Sequence, residues 1–253
     1  MTLIRFEGSD DRGPSGTLWN SLVDWVTGTL AVQSGVTDTD DFWPYGGALL
    51  GSAVQSGGIT LSTDAGSAAA VQAVPFGEVN FTATIAADAV AGYYRNSYVD
   101  FSDARQVCRE VYLESIADAT DPQTFIGWAD TIPISLFGAD GVVDGSALGL
   151  LWNADETVDL IAVASDDTLT VLYHEVATGI LRTDGKHKFG VRVKKETATQ
   201  YSVFASVNGV VKVARTALVP GAPMFPIVAQ YIDGTTAPSF DVDWDANVDA
   251  TPA

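Results

Sequence analysis

The 253-residue sequence has one cysteine, Cys108, and two histidines, His174 and His187. A single thiol cannot close an internal disulfide, so packing and hydrogen bonds must hold the fold. No two of these three side chains stand at metal-ligand spacing, and a nitrogen/sulfur zinc site finds no support. Basic residues are also few, 13 Lys and Arg against 32 Asp and Glu, giving a formal net charge of −19. That field repels phosphate, which argues against nucleic acid as a partner. No apolar run approaches the ~20 residues of a membrane helix, so no membrane partner is expected. The first residues, Met-Thr-Leu-Ile-Arg-Phe-Glu-Gly, lack the basic and apolar regions of a signal peptide, so the product is expected to be made in the cytoplasm. Gly-x-Ser-x-Gly elbows, phosphate-binding loops and dinucleotide fingerprints are missing too, and no cofactor is expected.

What is present is a globular mixture, 47% hydrophobic and 18% charged. The acid excess is mostly aspartate, a turn residue and poor helix former, which places the charge on loops between strands. The dominant period is two. In Lys188-Phe-Gly-Val-Arg-Val193 apolar and basic side chains alternate, as on a half-buried strand. Similar runs fall at 78–85, 106–116, 125–129, 148–152, 158–163, 169–173, 201–207, 210–214, 225–232 and 240–244. Turn dipeptides separate them: Asp166-Asp167, Thr178-Gly179, Asp184-Gly185, Asn208-Gly209 and Asp233-Gly234. This spacing predicts an all-β, antiparallel two-sheet sandwich or jelly roll. Asn208-Gly209 supplies both positive-φ positions of a type I′ hairpin turn and fixes the register of the flanking strands.

Leu18, Trp19, Leu22, Trp25 and Val26 have near-helical spacing and are read as a short helix or strap packed on the sandwich. From Gly28 to Gly77 the composition shifts to Gly, Ser, Ala and Thr, while apolar residues keep returning. This is read as extended loops with two or three short strands. Residues 248–253 are expected to form a loose tail. The whole is one domain, 1–253: an N-terminal strand with a loop-rich extension or arm over 1–77, and a jelly-roll core over 78–247.

Candidate chemistry is sparse, and no catalytic, cofactor or metal residue is assigned. Glu110-Val-Tyr-Leu-Glu114 puts Glu110, Tyr112 and Glu114 on one face of a strand. A retaining glycosidase needs carboxyls ~5 Å apart, whereas backbones four strand residues apart are separated by roughly 13 Å. The pattern resembles the Glu-x-Asp-x-Glu strand of concanavalin-like glucanases, with Tyr112 where that motif has its central acid. Asp241-Val-Asp-Trp-Asp245, with Asp249, offers oxygen ligands for calcium, as do Asp38, Asp40 and Asp41. It departs from an EF-hand loop at Ala246 and Pro252. Read as a strand, its Asp residues form the wet face and Val242 and Trp244 the core face. Trp43, Tyr45, Tyr93, Tyr94 and Trp128 are either a sugar-stacking platform or, the more common fate of such residues, core or a subunit interface.

The order of Ile4-Arg-Phe-Glu-Gly-Ser-Asp-Asp11, Thr124-Phe-Ile-Gly-Trp-Ala-Asp130, Leu148-Gly-Leu-Leu-Trp152, Lys188-Phe-Gly-Val-Arg-Val193, Ser206-Val-Asn-Gly-Val210 and Phe240-Asp-Val-Asp-Trp244 resembles concanavalin A-like (LamG-type) jelly rolls. In particular it resembles those of tailed-bacteriophage virion proteins. The resemblance implies a two-sheet jelly roll with a structural, non-enzymatic role: a decoration or cement protein on the virion surface, made in the host cytoplasm. It also implies the major capsid or another virion protein as partner, and a homo-oligomer, a trimer by expectation for a shell protein. The alternatives are a lectin-like module that binds a surface glycan and, behind it, a glycoside hydrolase using Glu110 and Glu114.

Overall fold

Alternating burial is complete along the strand Gln106–Ser115, where Val107, Arg109, Val111, Leu113 and Ser115 point inward and the residues between them are half-buried. The structure is a computed structural model. It describes residues 36–40, 59–63, 70–74, 78–83, 89–95, 98–101, 106–115, 122–137, 143, 146–153, 157–164, 170–177, 185–198, 200–216, 223–232 and 236–249. Its strands are β1 (Val36–Asp40), β2 (Ile59–Thr63), β3 (Ala70–Val74), β4 (Glu78–Thr82), β5 (Ala89–Arg95), β6 (Gln106–Ser115), β7 (Pro122–Ala129), β8 (Ala147–Trp152), β9 (Thr157–Ala164), β10 (Thr170–Ala177), β11 (His187–Thr197), β12 (Gln200–Val207), β13 (Val210–Thr216), β14 (Phe225–Ile232) and β15 (Ser239–Asp249). The expected helix at 18–26 lies outside the described residues, as do Asp41, Trp43 and Tyr45.

The strands form two antiparallel sheets, as the period-two pattern predicts. One has eight strands in the order β13-β12-β11-β6-β15-β4-β3, with β1 also on β15; the other has seven in the order β10-β9-β8-β7-β14-β5-β2. The glycine-rich segment contributes β1, β2 and β3 to these sheets. Between the sheets Val111, Leu113, Phe189 and Val191 meet Ile126, Trp128, Leu150 and Trp152, each large side chain contributing about 1.5–3 kcal/mol by burial. Asn208 and Gly209 have φ of 49° and 86°, the expected type I′ turn. Asn208 also ties that turn to the start of β11: its amide donates to the Lys188 carbonyl (2.8 Å) and its Oδ1 accepts from the Lys188 amide (2.9 Å).

Two strand expectations need correction. The sequence reading did not identify β5, which is buried on both faces and therefore shows no alternation. The strand read over 240–244 is too short, and Val248 and Asp249, read as the start of a loose tail over 248–253, belong to it, while residues 250–253 lie outside the described residues. The strand runs on to Asp249, where Val248 pairs with Cys108 and Asp249 with Val107. It changes partners midway, from β4 over Ser239–Val242 to β1 over Asp245–Asp249. At that junction a bulge between Val242 and Trp244 breaks the register with β6, and one extra residue reverses which face the following side chains take. Val242 and Asp245 therefore both point inward, each with no exposed surface. The expectation that all these Asp residues lie on the wet face fails at Asp245.

The bulge thus delivers a carboxylate into the core, where Arg109 and Arg95 surround it. Arg109 Nε donates to Asp245 Oδ1 (3.1 Å) and Nη2 to Oδ2 (2.9 Å). Arg95 Nε and the Tyr93 hydroxyl both donate to Oδ2 at 3.1 Å, and Arg95 Nη2 donates to the Asp245 carbonyl at 2.9 Å. Arg109 Nη1 crosses to the facing sheet and donates to the carbonyls of Gly127 and Ile227. Burial opposes ionisation of Asp245, but the two guanidinium charges and their hydrogen bonds outweigh it and hold the carboxyl at about 2. Burial and the Asp245 charge push the Tyr93 phenol well above its ordinary value, so it remains a donor. A second polar bridge uses buried Gln230: its Nε2 donates to Ser115 Oγ (2.7 Å) and Thr124 Oγ1 (3.3 Å), and its Oε1 accepts from the Ser239 amide (2.7 Å).

Part of the outer face of the seven-stranded sheet, over β5, β7, β8 and β14, is covered. The chain between β7 and β8 folds back over it with a short 3-10 turn, Pro133–Ser135. It packs Leu136, Phe137 and Val143 on Val90, Phe125, Leu151 and Tyr231. Gly92 makes room for this strap, since a Cβ there would lie 2.8 Å from the Pro133 Cβ.

Three outcomes follow from this packing. Asp245→Asn strands two arginines in the core and is expected to cost about 3–5 kcal/mol in urea unfolding. The depressed carboxyl of Asp245 stabilises fully above its unfolded value of 3.8, and that contribution disappears as pH falls through about 2. Acid titration of unfolding should therefore show a loss of about 2 kcal/mol between about pH 4 and pH 2 that is absent from the Asp245→Asn variant. Gly92→Ala should lower stability by roughly 1–3 kcal/mol through overpacking against the Val228 carbonyl and Pro133, read as a drop in thermal midpoint.

Candidate functional site

The outer face of the eight-stranded sheet carries the polar half of each alternating strand. On β6 these residues are Gln106, Cys108, Glu110, Tyr112 and Glu114, all half-buried; on β11 they are Lys188, Gly190, Arg192 and Lys194. The register sets Glu110 opposite Gly190, Cys108 opposite Arg192 and Tyr112 opposite Lys188. On the far side of β11, Ser206 stands opposite Gly190 and Phe204 opposite Arg192. A Cβ at Gly190 would lie 2.5 Å from Ser206 Oγ, so only glycine leaves this spot open. The result is a depression of about 230 Å³ lined by Cys108, Glu110, Gly190, Arg192, Phe204 and Ser206.

Its charges are arranged unequally. Glu110 Oε1 accepts from Lys188 Nζ at 2.6 Å. Burial raises the Glu110 carboxyl above its ordinary value, and the Lys188 hydrogen bond and charge counter this only in part. The Arg192 guanidinium lies 3.9 Å from the centre of the Phe204 ring. Burial raises the Cys108 thiol, against the pull of its hydrogen bond from Gln106 and the charge of Arg192. Cys108 is thus a neutral wall of the depression rather than a nucleophile. Nearby, Lys194 and Ser202 both donate to Glu196, each at 3.0 Å.

Glu110, Tyr112 and Glu114 do share one face, as the sequence implies, and it is the face turned away from the other sheet. The calcium reading of 241–245 fails on geometry: Asp245 faces the core on two arginines, while Asp241 accepts from Asn80 Nδ2 at 2.8 Å. The three carboxylates do not converge. Among the described residues no group of three His, Cys, Asp or Glu side chains is placed to hold a metal ion. Only backbone is described at Asp38 and Asp40. The sugar-platform reading also changes, because Tyr93 and Trp128 have no exposed surface and Tyr94 packs under the strap against Phe225. His187 is buried, 3.0 Å from Asn208 Nδ2 and edge-on to Trp152. The sequence reading did not single out Arg192, Phe204, Ser206 and Gly190. Their signal was the alternation of β11 and β12, which placed all four on one face.

No family model and no curated protein matches the sequence. Solved structures do. Peanut lectin superposes with a TM-score of 0.51 at 15% identity, covering 85% of this chain and 97% of the lectin. The metal-free carbohydrate recognition domain of Emp46p gives 0.51 at 10% identity, covering 78% of this chain and 89% of that domain. The Bacillus licheniformis β-glucanase gives 0.50 at 11% identity, covering 85% and 99%. At such identities the likeness speaks for the fold, and the fold of this chain is the concanavalin A-like jelly-roll sandwich.

Proposed function

We propose that this chain is a non-catalytic, lectin-like carbohydrate-binding module whose binding surface is the depression over Gly190. The observation that carries the reading is the arrangement of Glu110 on β6 and of Ser206 and Phe204 on β12, on either side of Gly190 on β11. A fixed carboxylate acceptor and a hydroxyl stand beside an aromatic ring, over a floor without a side chain. Sugar hydroxyls need such rigid, directional partners, and the Phe204 side chain adds an apolar wall beside them. The similarity in fold to a lectin and to a carbohydrate recognition domain supports the same reading.

Binding is favoured over hydrolysis by the same residues. Tyr112 stands where the resembled glucanase strand has its middle acid, and Lys188 holds Glu110 in an ion pair. The backbones of Glu110 and Glu114 are separated by roughly 13 Å, against the ~5 Å carboxyl spacing of a retaining pair. No observation on the described residues favours a capsid role, and none of the similar structures named above is a virion protein.

A glycan-array screen with and without calcium, followed by calorimetry on the best ligand, tests this. Wild type is expected to bind at least one saccharide class, and Glu110→Gln to weaken that binding at least tenfold. The variant should keep its stability within about 0.5 kcal/mol, because Glu110 loses only a partly exposed ion pair and a carboxylate disfavoured by burial. Absence of any glycan signal, or undiminished binding by Glu110→Gln, would sink the reading.

A further inference from the structure

Arg192 is the charged group of the depression that neutral sugar binding does not use. Among the described residues its Nε is sealed from solvent and has no hydrogen-bond partner. The chain carries 32 carboxylates against 13 basic side chains, so an arginine on a sheet face would be expected to find an acid. The carboxylate closest in register, Glu110, is instead bound by Lys188 at 2.6 Å. Arg192 is held on the Phe204 ring, 3.9 Å from its centre. This cation–π contact restricts the long side chain before any ligand arrives, so less entropy is lost when its donors are used. With Nε sealed, the donors left for an incoming carboxylate are Nη1 and Nη2, which receive it end-on.

From this we infer that the depression takes a saccharide bearing a carboxylate, with Arg192 as the group that receives the carboxylate; this rests on the carbohydrate-binding reading above. The register sets the spacing. Arg192 lies two residues along β11 from Gly190, and Glu110 and Ser206 flank Gly190 on the neighbouring strands. Two strand residues span roughly 7 Å, about the distance across one hexuronate ring with its substituents. The acid group meets the guanidinium fork at one end, and the ring hydroxyls meet Glu110 and Ser206 at the other. A bidentate guanidinium–carboxylate pair gives both strength and orientation, which an ammonium cannot reproduce. Lys188 keeps Glu110 from repelling the ligand's own carboxylate.

The test uses the full chain against a panel of uronate- and sialate-containing oligosaccharides, the methyl ester of each, and neutral oligosaccharides. Esterification removes the charge and leaves the hydroxyls. At least one acidic ligand should bind, with its ester and the Arg192→Gln variant each at least tenfold weaker and Arg192→Lys recovering only part of the affinity. Circular dichroism and the thermal midpoint of each variant should match wild type, since Arg192 is half-buried on the outer face. Neutral glycans bound as well as acidic ones, with Arg192→Gln unaffected, would overturn the carboxylate assignment while leaving the carbohydrate reading intact. Acidic glycans retained by Arg192→Gln would overturn the placement at Arg192. No binding to any member of the panel would overturn both.

Discussion

A single carboxylate, Asp245, holds the two sheets in register. Burying a charge in an apolar core is costly unless its partners satisfy it completely, and Asp245 receives donors on both oxygens from Arg95, Arg109 and Tyr93. Arg109 then spends its remaining Nη1 on the carbonyls of Gly127 and Ile227. Residues of β5, β6, β7, β14 and β15 are joined through one ion. Hydrophobic burial tolerates small slips of one sheet over the other, whereas a slip here would leave guanidinium donors unsatisfied. The network therefore contributes more to the uniqueness of the arrangement than to its net stability.

The same constraint reaches the outer surface through one peptide bond. Arg109 and Glu110 are consecutive on β6, one inward and one outward. Fixing Arg109 fixes the backbone that presents Glu110, and the β6–β11 register then sets Gly190, Arg192 and Lys188 relative to it. Side chains on the middle strands of a sheet are placed more accurately than those on loops. On the other outer face, Pro133, Leu136 and Phe137 cover the described side chains of β5, β7, β8 and β14 with apolar contacts.

Where one face of a strand is wet, the sequence announces it. The alternation of β6, β11 and β12 was readable, the Asn208-Gly209 turn fixed its hairpin, and β14 falls on the very span that its apolar run suggested. Where both faces are covered, as in β5, periodicity carries no information. The inward turn of Asp245 depends on a bulge that no residue type at 242–244 announces. Its counterpart did leave a trace: the alternation of β6 already placed Arg109 among Val107, Val111 and Leu113, and an arginine in that row requires a buried anion. The depression was legible only in part. Glu110 was visible as a carboxylate on a strand, but Arg192, Phe204 and Ser206 belong to it through the pairing of three strands separated by up to about a hundred residues, which composition does not encode.

Shape limits how strongly such a site acts. On the carbohydrate reading proposed above, a shallow depression of about 230 Å³ on a sheet face would enclose one ring and leave much of it in water. Contacts of that extent, less the cost of immobilising the ligand, correspond to weak binding at a single site. Rigidity offsets part of this, because Glu110, held by Lys188, and Arg192, held by Phe204, need little reordering. On that reading the remaining strength would come from repetition. A polymeric ligand that presents the same ring many times, met by several copies of the chain, raises the effective concentration of each later contact, and gains of 10²–10⁴ are typical when the spacing fits. An open face with a preorganised, low-affinity site is suited to such a ligand, whereas an enclosed pocket would suit a free monosaccharide.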